Sequence, residues 1–131
     1  MLLVLDIGNT RLKWAEFDNG SIGARGAIFL AEVEHFVERA GFARRVPDRV
    51  VGSHVANLVS KERVERQFAA LGRQVHWVTS SASACGVSNG YEEPGRLGTD
   101  RWAAMVAAWQ RGYAPCIVAC AGTALTVDQL D

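Results

Sequence analysis

Three short stretches of this chain carry residue types whose spacing suits phosphate chemistry. The first is Leu5-Asp6-Ile7-Gly8-Asn9-Thr10, where an apolar run stops at a turn. A hairpin that turns at glycine lets backbone N–H groups approach a phosphate with no Cβ in the way. Asn9 and Thr10 add side-chain donors, and Lys13 on the returning strand adds a positive charge. Asp6, at the strand end, is placed to hold Mg²⁺ through water, because Mg²⁺ keeps much of its hydration shell beside phosphates. The same residues also make a plain β-turn, so this stretch alone decides nothing.

The second stretch, Ala121-Gly122-Thr123-Ala124-Leu125-Thr126-Val127-Asp128, repeats the strand–glycine–strand pattern. Two such loops on one nucleotide would grip it from both ends. The third, Gly98-Thr99-Asp100-Arg101, opens a helix. The first turn of a helix offers unpaired N–H groups and the positive end of its dipole, which favour a carboxylate or phosphate. Asp100 there can accept the proton of an attacking hydroxyl, and Arg101 can bind an anionic group. Equally, Asp100 can merely complement the dipole while Arg101 sits in solvent. Gly52-Ser53-His54 gives no hydrolase pair, since adjacent residues on a strand point to opposite faces. Ser53 is read as a strand-end residue facing the cleft or core.

The elements that must hold these residues follow from the periodicity. Residues 1–7 form an apolar run, 11–17 alternate, and Asp18-Asn19-Gly20 is a hairpin signal leading to a third strand through Ile28. Three antiparallel strands at the start make a meander, one half of a mixed sheet. Val33, Phe36 and Val37 have helical spacing over 31–40, with Gly41 placed to stop the helix. A buried strand is expected over 49–55, a helix over 59–71 and a strand over 74–78. Residues 79–93 are rich in Ser, Gly and Asn and read as irregular, with a short strand near 85–87. Trp102, Met105, Val106 and Trp109 share one face of a helix over 98–112, which is read as core. Residues 116–121 and 123–130 complete a second hairpin around Gly122.

Composition narrows the class. A chain of 131 residues suffices for one compact domain, and 49% apolar with 21% charged residues is globular. Acidic and basic side chains balance at 14 each, so no field draws the chain to nucleic acid or an anionic membrane. Arg44 and Arg45 are read as solvated loop positions. No segment reaches the ~18 apolar residues of a membrane span, and the N-terminus lacks the basic flank and cleavage site of a signal peptide. The three cysteines, Cys85, Cys116 and Cys120, form no C-x-x-C pair, which fits reduced thiols in the cytoplasm. Cys116 and Cys120 share a strand face without a further ligand nearby, so a transition-metal site is not expected there.

In order along the chain, DIGNT, Y-x-x-P-x-x-LG-x-DRW and GTALTVD together resemble type III pantothenate kinase. That family belongs to the actin-like ATPase superfamily, with acetate and sugar kinases, Hsp70 and actin, and some members are labelled Bvg accessory factor homologues. The resemblance implies an α/β fold: a ribonuclease H-like, actin-like ATPase lobe with a mixed sheet, an N-terminal antiparallel meander and flanking helices. Residues 1–113 would form this lobe and residues 114–131 the first hairpin of a second, truncated one. The implied reaction is ATP-dependent phosphorylation of pantothenate to 4'-phosphopantothenate, the first step of coenzyme A biosynthesis. Asp6, Ile7, Gly8, Asn9, Thr10, Arg11, Leu12 and Lys13, with Gly122 and Thr123, would bind the nucleotide, with Asp6 on Mg²⁺ through water. Tyr91, Gly98, Thr99, Asp100 and Arg101 would line the pantothenate pocket, with Asp100 as proton acceptor. Phosphoryl transfer proceeds mainly by positioning and charge stabilisation, so an aspartate suffices as base. A cytoplasmic homodimer is implied, with no nucleic acid or membrane partner.

Three departures from the family pattern matter. Cys120 stands where the family commonly has an aspartate that binds an activating monovalent cation, so a K⁺ or NH₄⁺ requirement is in doubt. Glu93 stands where the pocket motif often has asparagine. Family members are also about twice as long, so the apolar edges of the last hairpin are expected to drive an oligomer or strand exchange and catalysis is expected to be weak. The rival readings are another actin-fold small-molecule kinase, and a non-catalytic nucleotide-binding or regulatory module.

Overall fold

The computed structural model describes residues 1–131, which divide into two compact units, Met1–Trp77 and Val78–Asp131. In the first unit, β1 (Leu2–Ile7), β2 (Arg11–Asp18) and β3 (Ser21–Phe29) form the expected antiparallel meander. Asn19 and Gly20 both take positive φ, 49° and 80°, as a two-residue turn matched to the strand twist requires. β4 (Arg49–His54) and β5 (Val75–Trp77) add in parallel, giving the order β3-β2-β1-β4-β5. A meander continued by parallel strands through a helical crossover is the ribonuclease H-like arrangement of actin-like ATPases.

β1 buries Leu3, Leu5 and Ile7 on one face, and these pack with Leu12 and Val50 against Val33, Phe36, Phe42, Val64 and Phe68. Helix α2 (Leu58–Ala69), reached from β4, presents Ser60, Val64 and Phe68 at four-residue spacing. Its N-cap is Asn57, whose side chain accepts from the Ser60 amide. The aromatic core is tied edge to face, with Trp14–Phe42 at 5.2 Å and Phe36–Phe42 at 5.7 Å.

The single helix expected over 31–40 is instead a 3₁₀ stretch, Leu30–His35, followed by one α turn, α1 (Phe36–Arg39). The reason is Gln67 on α2. Its Nε2 donates to the Val33 carbonyl at 2.7 Å, and its Oε1 accepts from the Val37 amide at 3.0 Å. Those two groups would bond each other in a continuous α-helix, so the clamp between elements replaces that rung. Arg45 is exposed, as expected, and its guanidinium pairs with the buried Glu16.

In the second unit, β6 (Ser83–Ala84) and β7 (Val87–Ser88) form a small hairpin around Cys85-Gly86, where a short strand was expected. Both turn residues have positive φ, 52° and 85°. Helix α3 (Thr99–Gln110) follows a 3₁₀ turn at Pro94–Arg96, and β8 (Cys116–Ala121) pairs with β9 (Leu125–Leu130). Trp102 and Met105 join Val87, Leu97 and Leu130 in a core, with Val106 partly buried against it. Trp109, also expected in the core, is 40% exposed, its indole lying over Gly86. α3 packs on β8 and β9 and groups with the terminal hairpin in this unit.

The terminal hairpin has a two-sided pattern. Cys116, Val118 and Cys120 alternate with exposed Ile117, Ala119 and Ala121, and Leu125 and Val127 extend that outer apolar face. No helix of the structure is long and apolar enough to cross a membrane.

Candidate functional site

The first candidate loop lies at the β1–β2 turn of the first unit. Gly8 donates its amide to the Arg11 carbonyl at 3.0 Å, closing the turn, so donors to a bound anion must come from the residues after it. Its φ is not in the left-handed region, and a Cβ there would meet nothing nearer than 3.5 Å. The turn itself therefore does not require glycine, which leaves the missing side chain as room for a ligand. Asp6 pairs across the ladder with Lys13 on one side and Ser53 on the other, so all three sit on the sheet face opposite Leu5 and Ile7. Ser53 Oγ donates to Asp6 Oδ1 at 2.9 Å, while Lys13 Nζ stands 3.9 Å from Oδ2. Asp6 keeps 41% of its side chain exposed.

Of the other residues predicted for nucleotide binding, Ile7 and Leu12 are fully buried in the core, so only their backbone is on offer. Arg11 is turned aside, its guanidinium 4.8 Å above the Phe29 ring. Thr10 gives its carbonyl to the Leu30 amide. In the second unit, Gly122 bonds its amide to the Ala124 carbonyl at 3.1 Å and Thr123 follows in the β8–β9 turn. Here too the backbone does not demand glycine.

The second cluster gathers at the start of α3. Gly98 is its N-cap and accepts from the Trp102 amide. Asp100 Oδ1 accepts from the Arg101 amide at 2.8 Å, which complements the helix dipole and leaves Oδ2 as the oxygen for other work. Arg101 is not in solvent. Its Nε donates to Asp128 Oδ2 at 2.9 Å and its Nη2 to Asp128 Oδ1, a two-point fork. The Tyr91 ring lies 5.9 Å from the guanidinium. The bond to Asp128 raises the Arg101 pKa further; burial opposes this, and the Tyr91 hydroxyl supports it. Arg101, Tyr91, Asn89, Leu97, Trp109 and Asp128 line a cavity of about 700 Å³ within this unit. Its lining sets Arg101 and an aromatic rim beside Asp128 and Asp131, so an anion would be received only through the Arg101 N–H groups that the Asp128 fork leaves over.

Two residues were given no role by the sequence reading. Asp128 lay inside a quoted motif, and its signal was an acidic residue on the inward face of β9 between Thr126 and Leu130. Ser53 was read only as a strand-end residue facing the cleft or core, and its signal was a polar side chain at a buried position of β4.

Cation sites can be tested on donor chemistry. Asp6 offers a half-exposed carboxylate, a hard oxygen donor that fits water-mediated Mg²⁺. Cys120 offers a half-buried thiol opposite Thr126, whose hydroxyl is buried without a partner. A thiol beside a hydroxyl does not fit K⁺ or NH₄⁺, which take oxygen ligands. No group of three or more His, Cys, Asp or Glu side chains is arranged for a metal. Glu93 is exposed and lies 3.8 Å from Arg96.

A family model described as type III pantothenate kinase matches residues 2–131. A type III pantothenate kinase from Polaromonas sp. is 43% identical over 138 residues, covering 98% of this chain and 54% of its own length. Those of Methylobacillus flagellatus and Laribacter hongkongensis are 43% and 44% identical, covering 99% and 100% of this chain but 50% and 53% of their own. The chain thus spans about half the length of the curated relatives it matches. Among solved structures, YeaZ from Pseudomonas aeruginosa aligns with 99% of the chain and 60% of its own, at a TM-score of 0.43 and 17% identity.

Proposed function

The chain belongs to the type III pantothenate kinase family, and from that membership we propose that it serves the ATP-dependent phosphorylation of pantothenate, the first step of coenzyme A biosynthesis. The observation that carries the proposal is the Arg101 fork: a guanidinium held by Asp128 beside Tyr91, one residue from Asp100, on the wall of a cavity of about 700 Å³. Pantothenate is a small carboxylate with a primary hydroxyl, so one end needs a fixed cation and the other a proton acceptor.

In this reading Arg101 and Tyr91 orient the carboxylate end of pantothenate, with Gly98 and Thr99 contributing at the helix start. Asp100 Oδ2 takes the proton of the primary hydroxyl as its oxygen attacks the γ-phosphorus of ATP. The new O–P bond forms as the bond from the γ-phosphorus to the bridging oxygen breaks, and ADP leaves. The turn from Gly8 to Lys13 supplies donors and a positive charge to the phosphates, and Gly122 and Thr123 supply a second loop. Mg²⁺, held by Asp6 through water, would neutralise charge on the transferring phosphate. The Cys120 thiol gives no support for an activating monovalent cation. A cytoplasmic location and a homodimer belong to the same proposal.

The test is ADP release from ATP and Mg²⁺, with and without pantothenate, on this chain and on a version extended with the second half of a relative. Pantothenate-dependent turnover that Asp100→Asn removes supports the kinase reading. ATP binding without turnover in either version refutes it in favour of a non-catalytic module. Turnover with a different hydroxyl compound alone points to another actin-fold kinase.

A further inference from the structure

We infer that Ser53 is a positioning residue for the phosphate loop: it fixes the Asp6 carboxylate so that one oxygen alone faces the divalent cation that accompanies the nucleotide. The inference rests on the proposed nucleotide role of the Gly8 turn and extends it to a residue outside that turn. Ser53 sits on β4, opposite Asp6 in the parallel ladder. It is one of four buried polar residues, with Glu16, Ser60 and Asp128. Glu16 pairs with Arg45, Ser60 meets its own helix cap, and Asp128 holds Arg101. Ser53 spends its hydroxyl on Asp6 Oδ1 at 2.9 Å.

The position does not favour serine for packing or propensity. It is a buried strand position beside Val50, Val51 and Gly52, where β-branched residues suit the site better. What serine adds is a donor. A carboxylate at a strand end turns freely about its last bond, and a hydrogen bond to one oxygen removes that freedom. Lys13 stands too far from Oδ2, at 3.9 Å, for a normal hydrogen bond. Oδ2 is therefore the acceptor left for a water of the hydrated cation, and Lys13 stays at liberty to move to a phosphate. The arrangement preorganises an oxygen that would otherwise have to be ordered on binding.

The test is fluorescence titration of the chain with a fluorescent ADP analogue, with and without Mg²⁺, for the wild type, Ser53→Ala, Ser53→Thr and Asp6→Asn. Ser53→Ala should weaken the Mg²⁺-dependent affinity about five- to tenfold, leave the metal-free affinity unchanged, and do nothing further in an Asp6→Asn background. Ser53→Thr, which keeps the hydroxyl, should restore most of the loss. Equal weakening with and without Mg²⁺, or a full effect persisting in Asp6→Asn, would overturn the inference and leave Ser53 a packing residue. A wild type that binds the analogue in neither condition would remove the phosphate-loop reading itself. A wild type that binds it with no Mg²⁺ dependence would remove only the inference.

Discussion

Replacing Asp128 by alanine gives a sharp test of the second cluster. Its carboxylate is 8% exposed and the Arg101 side chain 23% exposed, so the pair is largely withdrawn from water. Deleting one partner of a buried pair costs about 3–5 kcal/mol, because the surviving charge stays desolvated. Arg101 keeps some exposure and the face of Tyr91, which offsets part of that loss. A net cost of about 2–3 kcal/mol follows, a fall in melting temperature of about 6–12 °C for a chain of this size. Asp128→Asn keeps one acceptor and should cost about 1–2 kcal/mol.

Thermal unfolding by circular dichroism measures this, and a second variant isolates the cause. Asp128→Leu with Arg101→Met removes both charges, and it should be more stable than Asp128→Ala because no ion is left buried. The pH dependence is set by the raised Arg101 pKa. A raised value means the contribution is complete below the ordinary guanidinium value and lost only as pH rises through the higher one. The difference between wild type and Asp128→Ala should therefore not shrink as pH rises from neutral to about pH 10. A single variant within about 0.5 kcal/mol of wild type, or a double variant no better than the single, would refute the reasoning.

Gly86→Ala should destabilise by about 2–3 kcal/mol in urea unfolding, because its φ of +85° disfavours a side chain and the new Cβ would lie 2.6 Å from Trp109 Nε1. Wild-type ADP release should be equal in KCl and NaCl, whereas Cys120→Asp should introduce a K⁺ preference; a K⁺ preference in the wild type would contradict the thiol argument. The outer hairpin face, with Ile117, Leu125 and Val127 each more than half exposed, should drive self-association in light scattering. Changing all three to threonine should yield a monomer, and a monomeric wild type would exclude this surface as the driver.

Much of the fold was legible because the strands read locally. β1 is an apolar run stopped by a turn, β2 alternates, Asn19-Gly20 can hardly be anything but a tight turn, and Val64 and Phe68 mark the buried side of α2. What the sequence hid was set by partners far along the chain. Nothing local foretells that Gln67 would take the Val33 carbonyl and break a helix, or that Asp128 would take the Arg101 fork from 27 residues away. The motif reading placed Asp6, Asp100 and Arg101 by type and position. It could not tell that the side chains of Ile7 and Leu12 belong to the core, because motif adjacency ignores the strand alternation that buries them.

The buried polar residues locate where preorganisation lies. A chain tolerates such groups where partners satisfy them, and two of the four hold residues on which the proposed chemistry depends: Ser53 on Asp6 and Asp128 on Arg101. Both anchors come from strands and act on a side chain with a charge to place, so on the proposed function Asp6 and Arg101 have their orientations fixed before any ligand arrives. The exception is the second loop, where the Thr126 hydroxyl is buried without a partner opposite Cys120. An acceptor at position 120 would complete that ladder pair, and a thiol is too weak an acceptor to do so. On the proposed function, a catalytic shortfall intrinsic to this chain would accordingly arise at the Cys120–Thr126 ladder pair and respond to Cys120→Asp.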